Sequence, residues 1–144
     1  PIISALCLIC AVKTSQASIE LKHDATLGLD CSHLLGEWEG RYNLLDQGMH
    51  VDWHWYWWDD NHFEGEIYYT TGQETTVEFL AGVWSCDGSS YTNETHFSSQ
   101  VLLDDTGPWE VRFYFEELTH SYMRTRAEID EGQWEIFEAI KIGK

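Results

Sequence analysis

Residues 49–58 read Met-His-Val-Asp-Trp-His-Trp-Tyr-Trp-Trp, a run that leaves the backbone little choice. Aromatic and β-branched side chains favour an extended, pleated chain, in which successive side chains point to opposite faces. One face carries Met49, Val51, Trp53, Trp55 and Trp57, apolar throughout. The other carries His50, Asp52, His54, Tyr56 and Trp58, with polar tips on large rings. Such a strand either lines a bulky core or walls a cavity for a flat or apolar ligand.

The same period of two recurs downstream, broken by turn chemistry. Strands are expected at 36–45, 49–58, 63–69, 76–83, 109–116, 121–129 and 134–142, with a weaker one at 91–97 and a short one at 100–103. Asp46-Gln47-Gly48, Asp59-Asp60-Asn61 and Asp130-Glu131-Gly132 separate several of them. Val77, Phe79, Ala81 and Val83 share one face of their strand; Trp109, Val111, Phe113 and Phe115 share one face of theirs. No helical period runs longer than about two turns. Eight or nine strands joined by short turns predict an all-β, up-and-down antiparallel barrel, because closure removes the exposed edges of so large a sheet. A sandwich is the alternative. At about eight strands the interior holds side chains or one small ligand.

The chain of 144 residues is long enough for one ordinary domain, expected at 31–144. Residues 1–12 are almost wholly apolar, the length of a signal-peptide core and short of the roughly 20 residues that span a bilayer. Ser15 and Ala17 supply small residues for cleavage before Ser18, so 1–17 is expected to be a leader, followed by an arm at 18–30. A membrane anchor or a buried strand is the competing account of the same stretch. A lipoprotein is disfavoured, since Leu6 and Ile9 precede Cys7 and Cys10. Beyond the leader, Cys31 and Cys86 remain and predict one disulfide in a secreted or periplasmic protein. Asn93-Glu94-Thr95 is a glycosylation sequon.

Eight basic residues face 25 acidic ones, a formal net charge of −17. That surface disfavours nucleic acid and anionic membranes, both of which need clustered Lys and Arg. Solubility is the ordinary account of it; capture of a cationic ligand is the sharper one.

Leu34-Leu35-Gly36-Glu37-Trp38-Glu39-Gly40-Arg41-Tyr42 resembles the Gly-x-Trp opening of the lipocalin and calycin group. The resemblance covers about nine residues. It implies a short helical turn over residues 31–35 before the first strand, with Trp38 packed across the closed end of the barrel beneath a basic side chain from a late strand. By resemblance that basic residue is Arg124 or Arg126. The family's Thr-Asp-Tyr segment is absent, and similar openings occur in haem-binding barrels of the nitrobindin type.

Candidate chemistry is sparse. His50, Asp52 and His54 alternate onto one face at metal-ligand spacing, but zinc needs three or four converging ligands and a polar outer face explains the pattern equally. His54, His96 and His120 are conceivable haem ligands, with no spacing to select one. There is no Gly-x-Ser-x-Gly elbow, and a small hydrolase would need a carboxylate buried against indole. No catalytic residue, metal or cofactor is therefore assigned. The aromatic set is more informative. Trp53, Trp55, Trp57, Tyr69, Phe79, Phe113 and Phe115 are expected to line one interior. The expected function is binding of a small apolar or aromatic molecule by a monomer or weak dimer, without catalysis. A carbohydrate-binding module that uses Tyr56 and Trp58 is the alternative.

Overall fold

A computed structural model describes residues 29–44, 47–100 and 108–144. The leader at 1–17, most of the arm at 18–30 and all but Gln100 of the short strand expected at 100–103 lie outside the described residues. The described chain is a 3-10 turn (Cys31–Leu34) followed by β1 (Gly36–Leu44), β2 (Met49–Trp57), β3 (His62–Thr71), β4 (Glu74–Cys86), β5 (Ser90–Ser98), β6 (Trp109–Leu118), β7 (Tyr122–Asp130) and β8 (Gln133–Gly143). Each strand pairs antiparallel with the next, and β8 returns to β1, so eight strands close an up-and-down barrel. No described helix is long and apolar enough to cross a membrane.

Closure sets the two ends apart. At one end, β1 and β3 begin while β2 and β4 finish, and the 3-10 turn lies against this opening. Asp30 caps the turn by accepting from the Ser32 amide at 2.9 Å. Trp38 is fully buried, and its indole N–H donates to the Leu34 carbonyl at 2.8 Å. The sulfurs of Cys31 and Cys86 sit at bonding distance, 2.04 Å, tying the turn to the end of β4. A cross-link spanning 55 residues stabilises the fold by about 4 kcal/mol in the chain-entropy description.

The basic side chain over Trp38 is neither Arg124 nor Arg126. Lys141 of β8 holds its ammonium 5.1 Å from the indole centroid and donates to the carbonyls of His33 (2.8 Å) and Leu35 (2.7 Å). Arg124 lies on the outer face, paired with Glu116 at 2.8 Å and Glu138 at 3.0 Å. Arg126 stacks on Trp134 at 5.6 Å. Parity decides this: in β7 the buried positions are Met123, Thr125, Ala127 and Ile129, so both arginines face outward.

Candidate functional site

The inner wall of β2 is built as its alternation predicts. Trp57 is buried and donates from its indole to Asn93 Oδ1 at 3.1 Å. Trp55 stacks on Phe63 with 5.4 Å between centroids. Trp53 and Trp55 lie flat against the neighbouring strands because those strands carry no side chain there. A Cβ on Gly40 would overlap the Trp53 ring, and one on Gly65 the Trp55 ring. Two glycines thus make room for two indoles, the close approach for which a strand glycine is suited.

The indoles nevertheless leave a cavity of about 70 Å³. Around it stand Tyr42, Val51, Trp53, Trp55, Trp57 and Ile67 on one side. Tyr91, Asn93, Val111, Phe113, Ala127, Ile129 and Phe137 close the other. Most of this lining is apolar. The indole N–H groups of Trp53 and Trp55 are buried and make no hydrogen bond among the described residues. The cavity reaches towards the end opposite the 3-10 turn, where Tyr42, late in β1, and Phe137, in the first half of β8, hold their rings 5.3 Å apart.

Of the residues expected to line the interior, Trp53, Trp55, Trp57 and Phe113 meet at this cavity. Tyr69 and Phe115 face inward but are fully packed, 2% and 0% exposed. Phe79 requires correction: it is 49% exposed on the outer face. The face it shares with Val77, Ala81 and Val83 is the outer one, and β4 turns Glu78, Leu80 and Trp84 inward. Apolar residues on both faces of β4 fix its parity without saying which side is the core. Tyr42 and Phe137 were missed, although Tyr42 falls in step with Trp38 on the inner face of β1 and was legible from that alternation. Phe137 lay hidden between Ile136 and Ile140, which face outward and are 45% and 51% exposed.

Among the described residues the interior holds one fully buried carboxylate. Glu78 is fully buried, accepting from the Tyr69 hydroxyl at 3.0 Å and from Ser98 Oγ at 2.6 Å. The outer histidines each lie against one or two acids. His50 lies 3.1 Å from Asp52, His54 2.6 Å from Glu37, and His96 2.7 Å from Glu94. Among the described residues no group of three ligating side chains converges on a metal position. Asn93 of the sequon is 6% exposed and engaged by Trp57, so a glycan there would have to occupy the barrel interior. Comparison with protein-family models gives no match, and comparison with curated proteins gives none.

Proposed function

We propose that this is a secreted, lipocalin-like barrel that binds a small apolar or aromatic molecule at its open end, without transforming it. The carrying observation is the apolar cavity with two indole donors beside it. An apolar lining with few placed polar groups is the usual composition of a small-molecule site. Its size bounds the ligand. Typical drug-sized pockets run to roughly 300–1,000 Å³, and a dry cavity that admits benzene to about 150 Å³. At about 70 Å³ the space takes one small group, and a whole ring enters as Tyr42 and Phe137 part at the mouth. A carbonyl or ether oxygen on that ring would satisfy Trp53 or Trp55, whose buried donors otherwise cost about 1–3 kcal/mol each.

Indole N–H resonances of tryptophan-labelled protein test this site directly. Toluene and acetophenone are the probes. Binding moves the Trp53 and Trp55 signals, with acetophenone the tighter of the two, and Ile129→Phe, which fills the cavity, abolishes the response while the circular dichroism is retained. Unmoved Trp53 and Trp55 signals up to probe solubility would sink the proposal.

A further inference from the structure

A second site lies on the outside of the barrel, and its construction begins with an irregularity. In β5 the buried side chains run Tyr91, Asn93, Thr95, so alternation alone would turn Phe97 inward. The pairing of β4 with β5 shifts between Ala81 and Gly82: Ala81 meets Phe97 while Gly82 meets Thr95, which leaves His96 as an extra residue. This is a β-bulge, a device that re-aims side chains. Gly82 permits it, since a Cβ there would overlap the Glu94 carbonyl. As a result Phe97 points outward, 55% exposed, and Ser98 takes the inward place beside Glu78.

The register then sets four side chains in one row across the sheet. Tyr56 of β2 is opposite Glu64 of β3, Glu64 is opposite Ala81 of β4, and Ala81 is opposite Phe97 of β5. Ala81 is the small floor of this row. Tyr56 is reinforced by Trp58, 4.2 Å between ring centroids. On the other side, Phe97 stands with Phe79. The result is a groove of about 470 Å³ with aromatic walls and a carboxylate in its floor. Glu66, the next acid on β3, is already engaged by the Tyr68 hydroxyl at 2.6 Å and faces His54 at 3.9 Å. Glu64 has no hydrogen bond or ion pair among the described residues.

We infer that this groove binds a small organic ammonium ion. Aromatic faces attract a cation through their quadrupoles, and a weakly hydrated alkylammonium loses little on leaving water for them. An unpaired carboxylate between two aromatic walls supplies the complementary charge. The surrounding field has the same sign, because the chain carries a net −17. A sugar ring would use the same walls and donate a hydroxyl to the acid, but it carries no positive charge to answer the carboxylate and the surrounding field. The groove lies on the outer face of the sheet and, among the described residues, shares only Trp55 with the lining of the barrel cavity, so either can fail alone.

Choline and its uncharged carbon isostere, dimethylbutanol, are the probes, again read on the indole N–H signals. Choline shifts Trp58 and leaves Trp53 in place, and the alcohol binds at least several-fold more weakly. Glu64→Gln and Phe97→Ala, both on the outer face, each weaken choline about three-fold, the modest loss that exposed ion-pair and cation–π contacts carry. Glu110→Gln on β6 changes nothing. Equal affinity for choline and the alcohol, or choline binding indifferent to Glu64→Gln, overturns the inference. So does a groove that answers to an oligosaccharide such as cellohexaose and not to choline.

Discussion

Tyr91 shows how far a single buried side chain can couple this fold to its solvent. Its ring stacks on Phe113 at 4.8 Å and meets Trp57 edge-on at 5.4 Å. Burial pushes its phenol far above the ordinary value of 10.0. The folded barrel therefore keeps Tyr91 neutral where the unfolded chain ionises it. Its stabilising contribution is complete below about pH 10 and declines as the pH rises beyond that value. Thermal melts of the wild type and Tyr91→Phe should differ by a constant margin between about pH 7 and 9. The margin should then shift in favour of the variant, which has no phenol to ionise, as the medium becomes more alkaline. A margin that stays flat through that range would mean Tyr91 reaches water.

The elements were largely legible in the sequence. Period-two patterning with turn signals located every strand from Gly36 onward, because side chains in β2, β6 and β7 differ clearly between faces. What alternation could not supply was direction and continuity. In β4 and β8 apolar residues stand on both faces, so Phe79 reads as interior and is surface, and Ile136 and Ile140 also lie outside. In β5 the bulge reverses the parity in mid-strand, a break that no periodicity announces. The same limit explains the misplaced closing cation. A late basic strand was expected over Trp38, and β7 has two arginines, but the residue in phase with the interior is Lys141 on the last strand. Its ammonium fastens β8 to the carbonyls of the 3-10 turn as well as to Trp38. Lys141→Met keeps the aliphatic stem and removes these contacts, and should cost about 2 kcal/mol in urea unfolding. Arg124→Met, on the outer face, should cost well under half as much.

For the whole molecule the governing quantity is charge. A closed barrel has no free edge strands through which copies could pair, and 25 acids against 8 basic residues add mutual repulsion between molecules. The same charges repel one another within the fold. The pairs at the surface, Arg41 with Asp52 at 3.3 Å and Arg124 with two glutamates, neutralise only a few. Raising sodium chloride from about 0.01 M to about 1 M shortens the screening length from about 30 Å to about 3 Å, and should raise the melting temperature by about 4 °C. A melting temperature that falls with salt would show that local ion pairs outweigh the global repulsion.

The ladder of indoles on β2 has one more consequence, an optical one. Trp53 and Trp55 have centroids 6.3 Å apart with planes at 86°, and Trp55 and Trp57 repeat the spacing at 40°. Chromophores so close, at fixed and chiral angles, do not absorb independently; their transition dipoles mix. The barrel interior is thus a built-in exciton system, whose circular dichroism depends on the angles between three rings. Any molecule that enters and turns one of them changes the sign or size of that signal.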